Sequence, residues 1–192
     1  MIRALYDWTI GLAQSKHAIW ALAFVAFIES SVFPIPPDIL MIPMIIAAPR
    51  RAFWIAFVAT VSSVAGGAFG YLIGSLFFES IGLPVLEFYG QTAHFATFQE
   101  RYNAYGAWAV LIAGVTPFPY KVITILSGAT GLSLPVFMLA SIVARALRFF
   151  LIAALLWKFG APIRDFIERR LGLMFTLAVA LLIAGFAAVR FL

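Results

Sequence analysis

The chain has no cysteine, which excludes disulfides and thiolate metal sites. Histidine is nearly as scarce. His17 and His94 are far apart, with no second imidazole or carboxylate at ligand spacing, so neither a metal nor a cofactor is expected. Neither a G-x-S-x-G elbow nor an H-E-x-x-H helix occurs, and no nucleophile and base stand at a recognisable spacing, so the chain is not read as an enzyme. Charge is also rare: 11% of residues are charged, 64% are hydrophobic, and the mean hydropathy is +1.05. A chain of 192 residues has no polar shell large enough to enclose so much apolar surface, so the sequence reads as an all-α integral membrane protein. Its 13 basic residues outnumber 8 acidic ones, but no basic cluster is interleaved with aromatics. Nucleic acid is therefore excluded as a partner, and the excess speaks to loop orientation.

What is abundant is apolar sequence in blocks, at 18–48, 52–78, 107–157 and 171–189. Residues 1–17, with Arg3, Asp7 and Lys16 set among Leu5, Trp8 and Ile10, read as an N-terminal interfacial helix. Residues 18–192 then form a single transmembrane domain. Block 52–78 carries no charge at all and has Gly66, Gly67, Gly70 and Gly74 at helical spacing. It reads as a span with a small-residue face, suited to a homodimer or to an internal contact. Block 18–48 is broken by Pro34, Pro36 and Pro37 into arms of roughly 15 and 10 residues, too short to cross a bilayer that needs about 20. A re-entrant hairpin is expected at 18–48. A second, interrupted by Pro117 and Pro119, is expected at 107–132, followed by a span at 134–157 and a C-terminal span at 171–189.

The two broken stretches match. Val32-Phe33-Pro34-Ile35-Pro36 and Val115-Thr116-Pro117-Phe118-Pro119 share a V-x-P-x-P pattern 83 residues apart (115 − 32), and each is followed by a long apolar block. If the first hairpin enters and leaves from the cytoplasm, the positive-inside rule places eight basic residues inside, Arg101 and Arg190 outside, and Lys121, Arg145 and Arg148 at membrane depth. The hairpins then approach from opposite faces, as in an inverted repeat whose tips meet near the midplane. The N-terminus is cytoplasmic in this topology.

The segments Glu29-Ser-Ser-Val-Phe-Pro-Ile-Pro-Pro-Asp38 and Gly114-Val-Thr-Pro-Phe-Pro-Tyr-Lys-Val-Ile-Thr-Ile-Leu-Ser-Gly128 resemble the two signature segments of the DedA superfamily, also described as VTT-domain or SNARE-associated Golgi proteins. The likeness is to its YqaA-like branch and runs roughly from residue 15 to residue 170. The resemblance implies a multi-pass protein of the bacterial inner (plasma) membrane with two facing hairpins. It also implies a flippase or scramblase for a phosphate-bearing lipid, undecaprenyl phosphate or a phospholipid, with protons as a coupling partner. The family's two acidic positions map to Glu29 and Asp38. Its two hairpin arginines are missing here; Lys121 lies near the second, and Arg145 and Arg148 on the following span are the candidates to replace them.

The same residues carry chemistry without the family. A carboxylate near mid-membrane costs about 2.5–3.5 kcal/mol to insert, and so faces a partner or a watery cavity. Glu29 and Asp38 are the proton-exchange candidates. Glu29 has a plainer reading as a helix-end residue held by Ser30 and Ser31, and Asp38 one as the cap of the descending arm. Lys121, Arg145 and Arg148 either form a lipid headgroup or phosphate site or simply neutralise the carboxylates. Asp38 and Lys121 occupy equivalent repeat positions with opposite sign, and a direct pair between them is expected. Proton or small-ion transport, an intramembrane lipid-modifying enzyme and a scaffold without transport are the competing functions.

Overall fold

The computed structural model describes residues 17–32, 36–90, 92–116 and 118–189, with side-chain surroundings as far as Gly160. The interfacial helix expected over 1–17 lies outside these residues apart from His17, and so do Pro34 and Pro117. The described residues are helical, without strand. In chain order they form α1 (Ala18–Glu29), α2 (Asp38–Ala47), a 3-10 turn (Pro49–Arg51), α3 (Ala52–Phe77), a π turn (Phe78–Gly82), α4 (Leu83–Phe88), α5 (Thr92–Val115), α6 (Tyr120–Ala129) and α7 (Leu134–Val189). Two helical stretches, Pro49–Phe88 and Leu134–Gly160, are long and apolar enough to cross a membrane. By contrast α1 and α2, of 12 and 10 residues, rise only about 18 and 15 Å, half the thickness of a bilayer core.

The long helices α3 and α7 pack antiparallel. Phe53, at the start of α3, meets Phe150 and Trp157, whereas Tyr71, near its end, meets Phe137 with ring centroids 5.2 Å apart. Along α3 the glycines admit two other helices. A Cβ on Gly66 would collide with the Phe27 carbonyl of α1, and one on Gly74 with the Ile125 carbonyl of α6. Gly128 of α6 answers by fitting against the Tyr71 carbonyl. So α1 lies beside the first half of α3 and α6 beside the second half, end to end. The stripe of small residues in 52–78 is thus used for contacts within the chain.

A matching arrangement runs along α7. Gly114 of α5 abuts Ala144, and Met44 and Ile45 of α2 pack with Phe149 and Ala153. Two apolar cores result, one at each end of the bundle. The first joins Leu22, Met41, Ile45, Ile55 and Phe149; the second joins Tyr102, Val110, Tyr120, Leu132 and Phe137. Between them the ends of α1, α2, α5 and α6 converge halfway along α3 and the Leu134–Gly160 stretch of α7.

Two element boundaries differ from the sequence reading. The arm expected to begin near residue 107 is the last part of α5, which starts at Thr92. No proline interrupts 92–115, and Gly106 supplies room for Leu132 instead of ending the helix. The break expected at 158–170, ahead of a separate C-terminal span, is absent: the α7 backbone stays helical from Leu134 to Val189 with Pro162 inside it. The turn from α6 to α7 is sharply defined. Gly131 takes φ +67°, Leu132 N–H bonds the Ser127 carbonyl at 3.0 Å, and Gln99 and Asn103 of α5 both donate to the Thr130 carbonyl at 2.8 Å.

Backbone contact at the glycine stripe makes a prediction. Gly74→Val should lower stability by about 1–3 kcal/mol through overpacking, while Gly160→Ala, with nothing near its added methyl, should leave it unchanged. Thermal unfolding of the two variants in detergent checks this; equal midpoints would contradict the packing described.

Candidate functional site

Four charged side chains meet where the helix ends converge. Glu29 is the last residue of α1 and Asp38 the first of α2; Arg145 and Arg148 stand one turn apart on α7. Arg145 Nη2 donates to Glu29 Oε2 at 2.9 Å, and Arg148 Nη2 to Asp38 Oδ2 at 2.7 Å. The two carboxylates cancel the two guanidinium charges. A charge held this deep is tolerated only with such a partner.

Arg145 is enclosed. It is 2% exposed, and its guanidinium lies 4.7 Å from the centroids of both the Tyr120 and the Phe149 rings. Its Nε donates to Ser63 Oγ of α3 at 2.5 Å. Because a guanidinium can only donate, the Ser63 oxygen accepts that bond and its own hydrogen is left for Ser30 Oγ, 2.6 Å away. Ser30 in turn reaches the Ala26 carbonyl at 3.0 Å and Glu29 Oε2 at 3.1 Å. Arg145, Ser63, Ser30 and Glu29 thus close a hydrogen-bonded ring joining α1, α3 and α7. Both serines are fully buried.

Arg148 is held differently. Its Nη1 donates to the Thr116 carbonyl at the C-terminal end of α5 at 2.9 Å, where a cation complements the helix dipole. Nearby, Thr124 Oγ1 of α6 donates to the Ser30 carbonyl at 3.0 Å, tying the end of α1 to the start of α6. Tyr102 and Ser127 share a buried 2.9 Å hydrogen bond that joins α5 to α6.

Of the expected site residues, the structure brings together Glu29, Asp38, Arg145 and Arg148. Asp38 does not pair with Lys121, which forms no ion pair among the described residues; Asp38 is taken instead by Nη2 of Arg148 from α7. Nor does Asp38 cap α2: Pro37 holds the cap position, and no side-chain cap bond is made. Ser31 turns to the carbonyls of Phe27 and Ile28 and leaves Glu29 to Ser30. Pro36 and Pro37 precede α2 and Pro119 precedes α6, at the chain breaks. Sequence reasoning missed Ser63, Tyr120 and Phe149. Ser63 had one available signal, a polar residue in the middle of a charge-free span.

These features define a class, an all-helical membrane protein with ion pairs and helix ends meeting inside its bundle. The model of the VTT domain matches residues 35–158. An uncharacterized protein of Haemophilus influenzae is 37% identical over 169 residues, covering 85% of this chain and 87% of its own length. Another, from Histophilus somni, is 39% identical over 168 residues, with the same coverage of 85% and 87%. The chain belongs to the VTT-domain family of DedA and SNARE-associated proteins. No solved structure matches it.

The ring around Arg145 makes a stability prediction. Arg145→Met leaves the largely buried Glu29 without its cation and should cost about 3–5 kcal/mol, and adding Glu29→Gln should recover part of the loss. Unfolding midpoints of the single and double variants provide the check; an Arg145→Met protein as stable as the parent would contradict it.

Proposed function

We propose that this chain moves a phosphate-bearing lipid, such as undecaprenyl phosphate or a phospholipid, between the leaflets of a bacterial inner membrane as a flippase or scramblase. In this reading the pairs α1–α2 and α5–α6 are re-entrant hairpins of opposite direction, each followed by a spanning helix, and the N-terminus is cytoplasmic. Glu29 and Asp38 exchange protons, while Lys121, Arg145 and Arg148 supply positive charge to the headgroup. The observation that carries the reading is the meeting of four helix ends and two ion pairs midway along α3 and the Leu134–Gly160 stretch of α7. Broken helices with charged groups at mid-depth suit alternating access to a polar headgroup.

Internal equivalence supports the inverted repeat. α3 and α7 begin 82 residues apart (134 − 52), within one residue of the 83 that separates the V-x-P-x-P motifs. Each long helix is also flanked by the ascending arm of its own hairpin and the descending arm of the other.

One observation favours a second reading, transport of protons or small ions. Both arginines are already neutralised by carboxylates, so a bound anion must displace one of them. Liposomes separate the alternatives. Purified protein should carry labelled lipid phosphate across the bilayer without altering its mass, and Arg148→Gln should reduce the rate at least roughly tenfold. Proton flux without any lipid substrate, abolished by Glu29→Gln, would support ion transport instead. A change in the lipid's mass would mean an intramembrane enzyme.

A further inference from the structure

The two ion pairs, alike in charge and one helical turn apart, are completed to different degrees. The side edge of an arginine presents Nε–H and one Nη2–H side by side, matched to two acceptor atoms. On Arg145 both are used, Nε by Ser63 and Nη2 by Glu29. On Arg148 only Nη2 is used, by Asp38 Oδ2; Nε is buried without a partner among the described residues. The carboxylate is likewise half used, since Asp38 Oδ1 is also buried without a partner among the described residues. A two-point contact between the same groups would have satisfied both atoms, so the pair as it stands is incomplete. It is also more open than its neighbour: Arg148 is 20% exposed at its side chain, against 3% for Arg145.

Burying an unmatched charged donor and acceptor side by side is costly, and the cost is relieved when a group bearing two acceptor oxygens takes the Arg148 edge. A phosphate group has that geometry and charge. Arg145 cannot offer the same edge without breaking the ring through Ser63 and Ser30 and leaving Tyr120 and Phe149.

We propose that the Asp38–Arg148 pair is the anion-exchange point of this protein: a phosphate group takes the Nε–Nη2 edge of Arg148 in place of Asp38, while the Glu29–Arg145 ring remains closed as a fixed frame. This rests on the lipid-phosphate reading and assigns its binding step to one arginine. Arg145 is then a positioning residue, and Asp38 competes with the ligand.

Competition gives a sign that a simple binding role would not. With the full-length chain in detergent, the Kd for short-chain phosphatidic acid and, separately, for inorganic phosphate is measured by calorimetry. Asp38→Asn should tighten phosphatidic acid binding by at least roughly fivefold, because the ligand no longer displaces a carboxylate. Arg148→Lys, which keeps the charge and removes the fork, should weaken it by a similar factor, with a cooperative unfolding transition measured alongside to show that the variant is folded. Glu29→Gln should not tighten binding. Inorganic phosphate responding to the variants in the same order would place the recognition in the phosphate group; response of the lipid alone would place part of it in the acyl chains, with Arg148 still the anchor. Unchanged or weaker binding by Asp38→Asn, tightening by Glu29→Gln, or unaltered binding by Arg148→Lys would overturn the proposal. If Asp38→Asn does not fold, the Arg148→Lys arm decides it alone. A parent protein that binds neither ligand sinks the lipid-phosphate reading as well, whereas a parent that binds with the wrong order of variants sinks only this assignment.

Discussion

Arg145 is a permanent cation set between two apolar cores, and much of the central architecture follows from the need to satisfy it. Its charge requires Glu29, so α1 must end at that depth. Its Nε requires an oxygen, which fixes Ser63 at the middle of α3. Ser63 needs an acceptor for its own hydrogen, which brings in Ser30 and therefore the turn that follows α1. The glycines of α3 then have a clear purpose: only residues without a Cβ let α1 and α6 come close enough for these short bonds to form. Removing water from a guanidinium is expensive, and this ring offsets the cost with two hydrogen bonds and two aromatic faces.

The same constraint accounts for the short helices. A helix that ends inside a membrane leaves carbonyls or amides without intrahelical partners, and these must be met by protein. At the end of α5 the Thr116 carbonyl is met by Arg148, and at the end of α1 the Ser30 carbonyl by Thr124. Arg148 thus serves both a helix end and a carboxylate, and its Nε is the nitrogen of the paired arginines that is buried without a partner among the described residues.

Much of this was legible in the sequence because lipid imposes strict rules. Prolines in an apolar run mark a helix that cannot continue, and Pro36, Pro37 and Pro119 do stand at the breaks. Charges in such a run need partners, which singled out Glu29, Asp38, Arg145 and Arg148. Which charge meets which was not legible. The repeat pointed Asp38 toward Lys121, but pairing is decided by how α7 is rotated against α2, and that depends on packing of Phe149 and Ala153 far along the chain. Ser63 escaped notice because a serine in a span is usually satisfied by its own helix, as Thr60 is by the Ala56 carbonyl at 2.8 Å. The start of α5 at Thr92 and the unbroken backbone of α7 were missed for a related reason. The polar stretches 79–106 and 158–170 separate apolar blocks in the sequence, but polarity alone does not end a helix when no proline or glycine turn does so.

Whether the junction of helix ends receives a lipid phosphate is tested by an experimental structure in nanodiscs containing an anionic phospholipid. Headgroup density is expected between the N-terminal end of α2 and the C-terminal end of α5, within hydrogen-bond reach of Arg148, with the ring of Glu29, Ser30, Ser63 and Arg145 intact. Lipid confined to the outer surface of the bundle, with Asp38 and Arg148 closed in a two-point pair, would contradict it.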